Sequence, residues 1–113
     1  MKLHNKIIWI TGASSGIGKS LAINLSKYNC KLILSARRTA LLEVVKSQCQ
    51  EPENVVVLPL DLEKITSMQA VTIRAIDAFG RVDMLINNGG ISQRSAIIDT
   101  DISVDRKIIE IDY

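Results

Sequence analysis

This 113-residue chain has few aromatic residues, two cysteines, two prolines, one histidine and little net charge. A formal charge of +2, with no basic run carrying interleaved aromatics, excludes a nucleic-acid footprint. The two cysteines, Cys30 and Cys49, lack metal-type spacing. They read as buried reduced thiols rather than a disulfide. His4, the single histidine, stands before the first predicted strand without partners for a metal site. Long apolar runs are missing too. Ile7–Ile10 and Val55–Leu58 are far too short to span a bilayer, and the opening residues carry no signal-peptide apolar region. The expectation is a cytosolic protein with no transmembrane segment.

What is present is aliphatic. Hydrophobic residues make up 47% of the chain and the mean hydropathy is +0.18, which suits a parallel sheet buried on both faces. The apolar pattern alternates between short β-branched runs and helical stripes. It predicts strands at Lys6–Ile10, Lys31–Ser35, Val55–Leu58 and Val82–Ile86. Helices are expected at Ile17–Tyr28, from about Thr39 to Gln50, and over roughly Ile65–Phe79, where Gly80 is the stop signal. The first helix would bury Ile17, Leu21, Leu25 and Tyr28. A last helix is expected from near Val104. This βαβαβαβ order with right-handed crossovers gives a helix-covered parallel sheet in a single α/β unit, and the doubly wound strand order 3-2-1-4 would put the third strand at its edge. Pro59, at the end of the third strand, fits that strand's place at the sheet edge.

Three of the six glycines fall in Thr11-Gly12-Ala13-Ser14-Ser15-Gly16-Ile17-Gly18, between the first strand and first helix. Gly12 permits a turn, Gly16 a close approach to a pyrophosphate, and Gly18 close packing of helix on strand. The helix start aims unpaired N–H groups and a positive dipole end at an anion. Ser14 and Ser15 either touch the ligand or merely cap the helix. Some twenty residues on, an acid would bind a ribose 2′-hydroxyl. The chain has Arg37 and Arg38 instead, after Ser35-Ala36, and guanidinium forks suit a 2′-phosphate. NADP is therefore expected over NAD, although one arginine could simply be solvated. Asp61, after the third strand, either accepts from an adenine amino group or caps the next helix. Asn87-Asn88-Gly89-Gly90 follows the fourth strand, at the sheet end where ligands of open α/β folds lie. Thr11 can reach this loop if the first and fourth strands are neighbours.

These residues resemble the short-chain dehydrogenase/reductase family. Its Thr-Gly-x-x-x-Gly-x-Gly motif stands at Thr11–Gly18 and its aspartate at Asp61. Its Asn-Asn-Ala-Gly motif stands at Asn87–Gly90, with Gly89 in place of alanine. The stretch Asn87–Ser95 is also similar to the dehydrogenase/reductase member 7 group. The resemblance implies a Rossmann-type doubly wound fold of which residues 1–113 are the first, NAD(P)-binding half. It implies hydride transfer between NADP and a carbonyl or alcohol substrate, in an enzyme that is a homo-oligomer when intact. It assigns Thr11, Gly12, Ser14, Ser15, Gly16, Ile17 and Gly18 to the phosphate loop, and Arg37 and Arg38 to the 2′-phosphate. Asp61 and Leu62 would flank adenine; Asn88, Gly89 and Gly90 would line the ribose side. The family's Tyr-x-x-x-Lys pair and catalytic serine are absent here, so the chain alone is expected to be inactive. The family's relay asparagine corresponds to Asp112, whose backbone carbonyl could still serve a relay water. Ending the sheet at the fourth strand would leave an unpaired apolar edge and a tendency to self-associate. The rival reading is a non-catalytic dinucleotide-binding or interaction module.

Overall fold

The computed structural model describes residues 3–60, 68–88 and 107–110, with backbone alone at 68, 69 and 107–110. The elements run β1 (Ile7–Thr11), α1 (Gly16–Leu25), a 3-10 turn (Ser26–Tyr28), β2 (Lys31–Ser35), α2 (Thr39–Gln48), a second 3-10 turn (Pro52–Asn54), β3 (Val55–Val57), α3 (Met68–Phe79), β4 (Met84–Asn87) and β5 (Lys107–Glu110). The strands form one sheet in the order β3-β2-β1-β4-β5, and all four pairings are parallel. The expected 3-2-1-4 order is present, and Pro59 follows the edge strand.

Both faces of the sheet are covered, which is why its strands read as aliphatic runs rather than alternating ones. Ile8, Ile10, Leu32, Leu34 and Ile86 pack with Ala22, Leu42 and Val45 beneath α1 and α2. Ile7, Trp9, Ile33 and Leu85 pack on the opposite face with Ala75 of α3. Cys30 and Cys49 lie in the first of these cores as free, buried thiols. Burial pushes both thiols above their ordinary pKa, and desolvation is the leading cause. Among the described residues no helix is long and apolar enough to cross a membrane.

Two expectations require correction. The first helix does not bury the stripe from Ile17 to Tyr28, since these two residues are 40% and 59% exposed. Its fully buried positions are Gly18 and Ala22, because α1 lies so close to β1 that only small side chains fit between them. Leu21 and Leu25 pack at the border of the core. The second correction concerns the last element. Residues 107–110 form strand β5, in register Met84↔Lys107 to Asn87↔Glu110, where a helix from near Val104 was expected. Ile108 and Ile109 are β-branched and suit a strand. The edge of β4 offers the ladder bonds that complete their backbone pairing. The expected open edge on β4 therefore falls away: β4 is an interior strand, paired with β1 and β5.

Candidate functional site: a nucleotide cradle at the carboxyl end of the sheet

The carboxyl ends of β1, β2 and β4 converge on one loop. In register, Thr11 pairs with Ser35 on one side and with Asn87 on the other. The Thr11 hydroxyl donates to Asn87 Oδ1 at 3.0 Å and accepts from the Asn88 backbone N–H at 3.0 Å. The Asn88 side-chain amide then donates to the Gly12 carbonyl at 3.1 Å. Across the sheet, the Ala13 N–H donates to the Ser35 carbonyl at 3.1 Å. Strand adjacency thus joins Thr11 to the asparagine loop as expected, and the turn after β1 is tied to both neighbouring strands.

The loop then rises into α1 through backbone that favours glycine, with φ of 64° at Gly12 and 59° at Gly16. Gly18 is required for a different reason. A Cβ there would run into the Gly12 carbonyl oxygen and come within 2.6 Å of Asn88 Nδ2 and 2.8 Å of the Gly12 carbonyl carbon. The helix, the turn and the Asn88 side chain therefore meet at one point with no room for a methyl group.

The start of α1 is electrically open. Ser15 is the N-cap residue, yet its hydroxyl makes no capping bond, and no acidic residue occupies the first turn. The same two features mark the start of α2 behind Arg38. Carboxylates are favourable at such positions, so their absence leaves two helix ends with uncompensated positive potential and free N–H donors. Ser15, Gly16 and Ile17 are exposed, and Ser14 and Gly12 half-buried. Arg37 and Arg38 are exposed directly after β2. Finally, Asn88 Oδ1 is buried with no hydrogen-bond partner among the described residues. A buried acceptor without a donor costs about 1–3 kcal/mol, which a ligand hydroxyl would relieve. A cradle closed to side chains, open N–H groups and an orphaned acceptor together fit a dinucleotide.

Of the residues singled out by sequence, Asp61, Leu62, Gly89, Gly90 and Asp112 lie outside the described residues. Sequence reasoning passed over Ala13, Ser35 and the side chain of Asn87 as site residues. A serine ending a buried aliphatic strand was the available signal for Ser35, because its hydroxyl must find a partner inside.

Comparison with known proteins agrees with this geometry. The short chain dehydrogenase family matches residues 6–113. The chain belongs to that family. It is 50% identical to human dehydrogenase/reductase SDR family member 7, over 99% of this chain and 34% of that protein. Two solved structures share the short-chain dehydrogenase fold described above. One is hydroxysteroid dehydrogenase from Escherichia coli, with a TM-score of 0.70 and 29% identity over 79% of this chain and 38% of the other. The other is 3-ketoacyl-(acyl-carrier-protein) reductase from Brucella melitensis, complexed with NADH. Its TM-score is 0.68, with 32% identity over 78% of this chain and 36% of the other. The chain spans about a third of the length of the curated relatives it matches. In this chain the Thr11, Asn87 and Asn88 bonds tie the glycine turn to β4, and the Ala13–Ser35 bond ties it to β2.

Proposed function

We propose that this chain supplies the cofactor-binding part of an NADP-dependent short-chain oxidoreductase acting on a small carbonyl or alcohol substrate. The nicotinamide would supply or accept the hydride. The observation that carries the reading is the open, acid-free start of α1 beside the exposed arginine pair. In this arrangement the Gly16–Gly18 N–H groups bind a pyrophosphate, and Gly18 keeps the floor of the cradle flat. Ser14 and Ser15 offer hydroxyls at its rim. Asn88 Oδ1 accepts from a sugar hydroxyl, while its amide nitrogen stays on Gly12. Arg37 and Arg38 hold a 2′-phosphate, Arg37 being the principal contact. Asp61 and Leu62 flank the adenine, and Gly89 and Gly90 line the ribose side. Asp112 presents its backbone carbonyl to a relay water near the substrate.

The alternative cofactor is NAD, favoured by the NADH bound to the similar Brucella reductase. The two are separated by Arg37→Asp in the full-length protein, with NADP and NAD binding titrated side by side. Loss of the guanidinium–phosphate contact should move the preference toward NAD by roughly tenfold or more, the equivalent of a strong charge-assisted hydrogen bond. An unchanged preference would refute the assignment of Arg37.

A further inference from the structure

Trp9 is the one tryptophan of the chain and lies at 1% exposure in β1. Its ring packs in the α3-side core with Ile7, Ile33 and Leu85. Packing alone would be served by any large apolar side chain. An indole also carries an N–H that needs an acceptor when buried, and here it donates to the Ser35 hydroxyl at 2.8 Å. Trp9 pairs in register with Ile33, so Ser35, two residues on, is its diagonal neighbour on the same face, within reach of a long side chain.

Ser35 stands at a junction. It is fully buried, and its carbonyl holds the Ala13 N–H of the glycine turn at 3.1 Å. The next carbonyl, that of Ala36, accepts from the Leu60 N–H at 2.9 Å. Arg37 and Arg38 follow immediately. The backbone bonds tie β2 to its neighbours up to Ala36. The one described side-chain bond that reaches this corner from within the core is that of Trp9.

We propose that Trp9 is a positioning residue for cofactor selectivity: from the α3 face of the sheet, its indole N–H fixes Ser35 and so holds the β2 exit that presents Arg37 and Arg38 to a phosphate. The inference rests on the NADP reading above. The glycine turn meets the pyrophosphate common to both cofactors and is held by the Ser35 backbone, which side-chain substitutions leave in place. Loss of the indole bond should therefore weaken NADP more than NAD.

The test uses Trp9→Phe, Ser35→Ala and the double variant in the full-length protein, with NADP and NAD binding titrated for each. Trp9→Phe keeps an apolar ring but removes the donor; Ser35→Ala leaves the core ring intact, so it carries the test if the first variant does not fold. Each single variant should lower NADP affinity by roughly three- to tenfold, the worth of one hydrogen bond, with NAD affinity changed by less than about twofold. The double variant should lose no more than either single one, because both remove the same bond. Equal losses for both cofactors, no loss of preference, or additive losses overturn the inference while leaving the NADP reading standing. A wild-type protein that does not prefer NADP overturns both.

Discussion

The two ends of the sheet use the same chemistry to opposite effect. At the amino end, the Asp83 carboxylate accepts from the Ile7 N–H at 2.9 Å and from Arg81 Nε at 3.0 Å. Arg81 also donates to the Asn5 carbonyl at 3.0 Å. The Asn5 N–H in turn donates to the Asn29 carbonyl at 2.9 Å, with both asparagines in the left-handed region at φ of 64° and 57°. This network is closed, since each of these groups has its partner within the protein. At the carboxyl end, the Thr11, Asn87 and Asn88 bonds form a comparable network between β1 and β4, but it stops at Asn88 Oδ1, which has no partner among the described residues. It also faces a helix start without cap bond or carboxylate. A completed polar network is a fastening, whereas one that leaves buried groups unpaired has room for a ligand to complete it.

The strongest way to break this contrast is Gly18→Ala. The added methyl group has no space against the Gly12 carbonyl and Asn88, so α1 must shift away from β1. A loss of about 3 kcal/mol in denaturant unfolding is expected, together with loss of cofactor binding in whatever remains folded. Retention of both would show that the cradle is looser than its geometry indicates. Asp83→Ala comes next and attacks the closed end. It strands the buried Ile7 N–H and frees Arg81, at a cost of about 2 kcal/mol. Cofactor affinity of the folded protein should be unchanged, because the bonds of the carboxyl end are untouched; a parallel drop in affinity would mean that the two ends are coupled.

The smallest effect belongs to the thiols, which sit toward the amino end. Cys30 Sγ lies 3.1 Å from the Leu25 carbonyl and Cys49 Sγ 3.4 Å from that of Val45. Their pKa values are raised above the ordinary 9.0 by burial, so the folded state keeps its thiol protons to higher pH than the unfolded chain does. Their contribution to stability is then complete below about pH 9 and declines as pH rises beyond it. Unfolding measured at neutral and alkaline pH should show this decline, and Cys30→Ala with Cys49→Ala should reduce it. An unaltered slope in that double variant would remove the thiols from the account.

Much of the fold was legible because its determinants are local. Lys31–Ser35 is a strand with the expected bounds, since its apolar run is flanked by turn residues. Gly80 closes α3 through its N–H to the Ile76 carbonyl at 2.7 Å, as a stop signal should. The glycine turn was recognisable from its spacing together with its place between the first strand and the first helix. What escaped was set by neighbours remote in sequence. The inner face of α1 follows from how near β1 allows it to come, which favours Gly18 and Ala22 over the larger Ile17. The segment with Ile108 and Ile109 has too short an apolar pattern to separate strand from helix, and its pairing with β4 decides the matter. The Trp9–Ser35 bond spans two strands and could be anticipated only as a need of each side chain for a partner.

Sequence alone determined the alternation of elements and the type of ligand loop, because hydrophobic period, turn residues and glycine spacing act within a few residues of one another. Tertiary structure decided which side chains close on themselves and which remain open. Asp83 and Asn88 both follow the pattern of polar residues flanking β4, yet one is saturated by Ile7 and Arg81 while the other keeps a buried oxygen without a donor among the described residues. That distinction depends on what the neighbouring strands bring within about 3 Å.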